Sequence, residues 1–483
     1  MASVHTSLVA SDDMASYPLF HFLKIKFFPY VIKKICGMKS LLALWVGAFC
    51  LLLTACSDSP LDPAHPVTLS LWHVYGAHSY SPMNELVERF NRTVGKERGI
   101  VIEVTAVSNT SAIHEALVAA AHLQPGAGDL PDLFTCYPKT LSAMGSEKAL
   151  DWGKWFSEEE LGVFAPQFLE EGYVDGALRL FPLLKSTNLL YVNATIFDEF
   201  SRDTGITYAD LSTWEGVFRA SERYHRWSGG KTFFMYDEWL HYAMLNVESL
   251  GERFFDGDRI RWDSPAFIKV WNALARAGLK GEICPMPGYA TTAMIMGEAV
   301  CGFESSASIL YFTDTITLPD NSIMPLRLAI LPVPLFEGAK PVVLQRGSGL
   351  GALKSTPERE YAAAVFCKWL TSPEVNLPFA VQCGYMPVRK DSFKRIMEGK
   401  TPPYPDERYR EQYQVLQKIY ANSTFYVPPV FKTYDPMERG FSAVVRDMFK
   451  KSNVVGVGKP VSQEAIDQTR TEIARRVTAL QDK

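Results

Sequence analysis

Acid–base chemistry needs carboxylates or imidazoles held together, and this chain of 483 residues offers 53 Asp and Glu and 9 His. None of them falls into a catalytic spacing. Glycoside hydrolysis takes two carboxylates about 5–10 Å apart, yet no motif isolates a pair, and the run Glu158, Glu159, Glu160 reads as the solvated start of a helix. His65, His73 and His78 stand eight and five positions apart, which does not place metal ligands on one helical face. No G-x-S-x-G elbow and no H-E-x-x-H pair occurs. GSGLGA, starting at Gly347, matches G-x-G-x-x-A, but a dinucleotide loop should open a helix, and 350 to 353 reads as extended before a cap at Ser355 and Pro357. Beyond Cys56 the cysteines are Cys136, Cys284, Cys301, Cys367 and Cys383, with no C-x-x-C, so neither a zinc site nor a disulfide framework is indicated. Buried free thiols are expected, with Cys367 and Cys383 the pair near enough in sequence for a local bridge. No metal and no cofactor is implied. What the chain does hold is recognition chemistry: aromatic faces, hydroxyls and bare backbone amides.

One thiol stands apart. Leu41 to Leu53 is a stretch of 13 residues without a charge, too short to span a bilayer but suited to the apolar centre of a signal peptide. Lys33, Lys34 and Lys39 precede it, and it exits through Leu53, Thr54, Ala55 and Cys56. That exit resembles the lipobox of bacterial lipoproteins, where the thiolate is alkylated by lipid before cleavage. The resemblance implies 38 to 55 as signal peptide and Cys56 as the lipidated first residue of a membrane-anchored, extracytoplasmic protein. Residues 1 to 37 fit no part of that scheme and read as a non-native extension ahead of Met38.

The elements that must position the recognition groups follow. Residues 56 to 66 contain SDSPLDPAHP, a Ser, Asp and Pro tether. Strands at 67–74, 100–107 and 132–137 alternate with helices opened by Ser81 and Pro82 and spanning 111–123; the order βαβαβ predicts a mainly parallel sheet. Helices near 212–226, 237–250 and 264–278, then strands at 300–303, 326–333 and 342–345, predict a second α/β lobe. The last third is helical: 357–371, 372–382, 406–420, 437–450 and 462–480. In the final helix Ile466, Ile473, Val477 and Leu480 form a core stripe. Composition is that of a folded chain, with 47% apolar and 21% charged residues, and a net charge of -4 without a long basic run excludes a nucleic-acid footprint. There is no repeat or low-complexity tract, so a structural or adhesive surface protein is not indicated.

Leu71, Trp72 and His73 followed by SPMNELVERFN, then FPLLKSTNLLYVNATIF, MGEAVCGFESSASIL, VVLQRGSGLGALKSTPEREYAAAVFCKWLTSPE and QCGYMPVRKDSF, resemble in order and spacing the family 1 extracellular solute-binding proteins. That group includes binders of maltose and of sn-glycerol-3-phosphate. The resemblance covers nearly all of 67 to 450. It implies an α/β, two-lobed periplasmic-binding-protein-like fold, with 67–187 plus 348–383 as one lobe, 188–347 plus 384–483 as the other, and crossings near Asn188, Gln345 and Gly384. It also implies a non-enzymatic substrate-binding lipoprotein of an ABC importer that captures a sugar or glycerol-phosphate-type solute and delivers it to permease subunits. The alternative is a secreted carbohydrate-active enzyme such as a glycoside hydrolase.

The resemblance places candidate ligand contacts as well. Tyr236 and Trp239 would supply aromatic faces for the C–H face of a polyol, although Leu240, Ala243 and Met244 continue at core-helix spacing. Ser305 and Ser306 would offer hydroxyls and amides, or simply cap a helix over 306–313. Arg346 would supply a fork for phosphate or carboxylate, and Gly347 and Ser348 a close backbone approach. Ser186 and Tyr385 match the crossings, and Trp72 and Tyr137 lie at strand ends. The chain departs from the glycerol-phosphate binders at Ser111, at Pro138, and near Lys432 and Arg439, where their late arginine has no clear counterpart.

Overall fold

The computed structural model describes residues 60–76, 81–284, 286–318, 321–452 and 460–482. Cys56, the apolar run before it and His78 therefore lie outside the described residues. The first sheet is built by β1 (Val67–His73), β2 (Ile100–Ala106), β3 (Leu133–Cys136), β4 (Phe181–Pro182) and β10 (Gly349–Ala352), in the order β2-β1-β3-β10-β4. β1 runs parallel to β2, with Val67 opposite Ile100, and to β3, with Leu71 opposite Leu133. The connection from β1 runs through α1 (Pro82–Arg92), started by a Ser81 side chain that accepts from the Asn84 amide; Met83, Val87 and Phe90 are buried on one face. α2 (Thr110–Ala121) follows β2, and α3 (Pro138–Met144) follows β3. β10 enters antiparallel to β3, with Gly349 opposite Cys136, because the chain returns to this sheet from elsewhere.

That elsewhere is a second sheet, β7-β6-β8-β5-β9, made of β5 (Asn188–Asn193), β6 (Thr232–Met235), β7 (Ile283–Cys284), β8 (Ala299–Ser305) and β9 (Leu328–Pro332). All six residues of β5 are buried, as a central strand covered on both faces requires. Around it pack α4 (Ala194–Thr204), α5 (Trp214–Trp227), α6 (Trp239–Ser249), α7 (Pro265–Leu279) and α8 (Ala290–Ile295). α9 (Pro357–Leu370) and α10 (Pro373–Cys383) belong to the first side, where Phe366 meets Phe90 edge to face at 5.0 Å. α11 (Glu407–Asn422) lies against β9, while α12 (Tyr434–Ser452) and α13 (Gln463–Gln481) pack on α6 and α7. Ile466, Ile473 and Val477 are fully buried there; Leu480, the fourth residue of the stripe, is half-buried.

Short strands without apolar–polar alternation, such as β6, carry no periodicity and escape a sequence reading. The strand expected at 342–345 exists as Val342–Leu344, but it pairs with Thr424–Tyr426 in a separate ribbon. Cys136, Cys301, Cys367 and Cys383 are buried free thiols, so Cys367 and Cys383 form no bridge.

Three passages between the sheets lie side by side. Ser186 and Arg346 exchange two backbone hydrogen bonds of 3.0 and 2.9 Å, and Lys185 and Met386 exchange two of 3.0 and 2.5 Å. Gly347 is required at this point: its φ is 97°, and a Cβ would fall 2.2 Å from the Leu184 carbonyl oxygen. The ammonium of Lys185, 2% exposed, donates to Glu171 at 2.7 Å and to the Gly347 carbonyl at 3.1 Å. A charge buried this deeply is tolerated because it is paired. After the passage at Gly384, Val388 and Lys390 are still bonded to Ala165 and Val163 of the first side, before α11 reaches the second sheet.

Candidate binding cleft

Between the two sides lies a cavity of about 440 Å³. The ends of β3 and α2 form one wall, the loop into α6 and the start of α12 form the other, and residues 344–346 form the floor. Tyr137, at the end of β3, sets the first wall: its hydroxyl accepts from the Gly347 amide at 3.2 Å. On the floor, Arg346 Nη1 donates to Asn188 Oδ1 at 2.8 Å and to Glu238 Oε2 at 2.5 Å. Asn188 Nδ2 in turn donates to Glu238 at 3.2 Å and to the Tyr236 hydroxyl at 3.3 Å.

From that pair a line of alternating charge runs along the second wall. His241 lies 3.5 Å from Glu238 through Nδ1 and 2.9 Å from Glu438 through Nε2. Lys139, on α3 of the first wall, reaches Glu438 at 2.7 Å and Asp435 at 2.8 Å, tying the walls together. Arg439 continues the line, to Asp435 at 2.6 Å and to Glu115 of α2 at 3.3 Å. Arg446 pairs with Asp237. Burial opposes ionisation of His241, but bonds to Glu238 and Glu438 outweigh it and lift the imidazole to about 9. Burial likewise opposes ionisation of Glu438, and His241 with Lys139 draws it down to about 2. Glu238 is held well below the carboxylate range: Arg346 and His241 overcome its desolvation. These charges are therefore fixed at neutral pH and spent on one another. Three buried side-chain atoms of cavity-lining residues make no hydrogen bond among the described residues: His241 Nδ1, which stands 3.5 Å from Glu238, the Tyr434 hydroxyl and Gln345 Oε1.

Of the residues singled out from sequence, Tyr137 and Arg346 line the cavity, as do Ser111, Pro138 and Arg439 at the noted departures. Gly347 adjoins it, through Tyr137. Tyr236 reaches the floor only by its hydroxyl; its ring packs on Trp239 and Phe303 at 5.6 and 5.3 Å. Trp239 is 1% exposed, enclosed by Tyr236 and Tyr242, and its indole N–H has no partner among the described residues. Ser186 accepts from Ser305 Oγ at 3.1 Å, and Ser305 also caps the short turn Ser306–Tyr311. Ser306 is fully buried. The Ser348 carbonyl accepts from the Tyr75 hydroxyl at 3.1 Å, and Tyr385 packs edge-on against Tyr75 at 5.6 Å. Trp72 sits half-buried beside a small core cluster under the first sheet. Sequence reasoning missed Glu238, His241, Lys139, Asp435 and Glu438. The spacing of Asp435, Glu438, Arg439 and Ser442, which sets one polar face on α12, was the available signal.

A family model described as bacterial extracellular solute-binding protein matches residues 85–404. The chain belongs to that family. Family members are binding proteins rather than enzymes, and they act outside the cytoplasm. The two-lobed fold agrees with solved structures of this kind. The cyclic alpha-maltosyl-1,6-maltose binding protein from Arthrobacter globiformis superposes with a TM-score of 0.63 at 15% identity, over 86% of this chain and 99% of that one. UgpB from Mycobacterium tuberculosis, in complex with glycerophosphocholine, gives 0.65 at 17%, over 86% and 98%. The sugar-binding protein MalE from Xanthomonas citri gives 0.61 at 14%, over 86% and 98%. No curated protein sequence matches the chain.

Proposed function

We propose that the chain is the substrate-binding component of an ABC importer, capturing a hydroxyl-rich solute of the sugar or glycerol-phosphate type between its lobes and passing it to permease subunits. The observation that carries this reading is a cavity of about 440 Å³ whose charges are already compensated and whose lining residues Tyr434 and Gln345 each bring a buried polar atom, the hydroxyl and Oε1, with no hydrogen-bond partner among the described residues. Buried polar groups find partners in a working structure, and a solute hydroxyl donates to one and accepts from the other. The similar proteins that bind a cyclic maltosyl-maltose and glycerophosphocholine support the same solute class. A phosphate would have to draw Arg346 or Lys139 away from carboxylates 2.5 to 2.8 Å distant, so the neutral, sugar-like member is favoured. The lipobox-like exit at Cys56 adds a lipid anchor to the reading.

Mass spectrometry of the solute that copurifies with residues 57–483, followed by calorimetric titration of that compound, tests the proposal. A polyhydroxylated solute bound one to one is expected. A cavity that copurifies empty and ignores sugars and glycerol phosphates alike would overturn it.

A further inference from the structure

Every carboxylate lining the cavity has a cation: Glu171 has Lys185, Asp237 has Arg446, Glu238 has Arg346, and Asp435 and Glu438 share Lys139. Glu304, near enough to Glu238 and Arg346 to feel both charges though not itself part of that lining, has no ion-pair partner among the described residues. It stands at the end of β8, one residue before Ser305, which pairs across the sheet with Asn188, the residue holding Glu238 and Arg346. Its two oxygens receive only neutral donors, the Ala290 amide at 2.6 Å and the Ser308 hydroxyl at 3.4 Å. Next to Ala290 is Tyr289, 60% exposed, on a loop pinned at both ends: Gly288 N donates to the cleft residue Asp237 at 3.1 Å, and Ala290 N to Glu304. A large aromatic ring left open to solvent, on a loop whose flanking amides are held by Asp237 and Glu304, is not packing the core, and a half-buried carboxylate without a cation is costly.

We propose that Glu304 and the open face of Tyr289 form a subsite for a protonated amine carried by the solute, so that the ligand is an amino sugar or a similar ammonium-bearing polyol. This rests on the solute-binding reading above. The carboxylate accepts the N–H bonds and the ring face takes the remaining charge. The groups facing Glu304 are Glu238 from the loop before α6, Arg346 from the floor, and the phenols of Tyr191, Tyr236 and Tyr289. With burial first and Glu238 second, they leave the Glu304 carboxyl at about 7, against the pull of Arg346. An incoming ammonium supplies the missing positive charge, and the carboxyl gives up its proton to solvent.

The full chain is titrated by calorimetry with glucosamine, galactosamine and mannosamine, and with their uncharged N-acetyl and parent sugars. At least one amine is expected to bind about tenfold or more tightly than its uncharged counterparts, as one charge-assisted bond allows. Repeating the titration at pH 7 in buffers of different ionisation enthalpy should reveal release of up to about half a proton, as a carboxyl at about 7 requires. Glu304→Gln should abolish both the preference and the proton release while keeping the neutral sugars' affinity, and Tyr289→Ala should weaken the amine more than the neutral sugar. A neutral sugar that binds as tightly as its amine, or a preference that survives Glu304→Gln, overturns the subsite and leaves the binding function standing. Failure of the whole panel, together with an empty copurified cavity, sinks both.

Discussion

Two titratable residues report on this cleft through pH. Glu304 is a carboxyl whose folded value is raised from 4.5 to about 7, so its favourable contribution is complete below 4.5 and is lost as pH rises through about 7. Glu304→Gln lacks that loss. The variant should gain stability over the parent between pH 5 and 8, by at most about 3 kcal/mol at 1.4 kcal/mol per unit and less for a group partly open to solvent; urea unfolding at the two pH values measures it. His241 is a base raised from 6.5 to about 9, and its contribution is likewise complete below 6.5 and lost as pH climbs through 9. In His241→Asn the parent's decline in stability between pH 6.5 and 9, on the order of 1–3 kcal/mol, should flatten. Trp239→Ala, removing an enclosed ring, should cost the empty protein about 3–5 kcal/mol. If affinity falls in that variant while its unfolding midpoint stays put, the ring contacts solute instead.

At the scale of elements, α12 carries the polar face that makes the second wall, and Lys139 on α3 is its counterpart across the cavity. Lys139→Met should loosen the walls at a stability cost of about 1 kcal/mol, because the ammonium is 27% exposed and such pairs are weak. Small-angle scattering of the empty variant should show a larger radius of gyration than the parent, and an unchanged radius would deny the tie its role. Much of the element pattern was legible beforehand. Ser81 with Pro82, Ser264 with Pro265, and Ser462 are local capping signals, and each opens the helix expected of it. β6 was not legible, being four residues without alternation, nor was the charge line, whose members come from α2, α3, α6 and α12 and meet only in the fold. Tyr137 and Arg346 were readable through resemblance at strand ends and crossings. Glu238 was not, because a carboxylate pair, Asp237 and Glu238, in a short loop has no periodicity to betray it.

For the whole molecule, solute bridging the lobes would favour the closed arrangement by its differential affinity for it. Adding the copurified solute should shrink the radius of gyration of the parent, and saturation without change would argue for a rigid cleft. Cys56→Ala should abolish lipid labelling if the anchor is as proposed. The antiparallel pairing of Gly349 with Cys136 carries one more consequence. The first sheet cannot be finished until the entire second sheet has been made, because the strand between β3 and β4 is the last of its members to be synthesised. Loop-closure entropy over that span must be met before the pairing rewards it, so slow folding limited by non-local contacts is the expected behaviour. A ribosome-bound or truncated chain ending before Gly349 holds an open sheet edge where β10 belongs, and it stays an unfinished substrate for chaperones and proteases until the last third emerges.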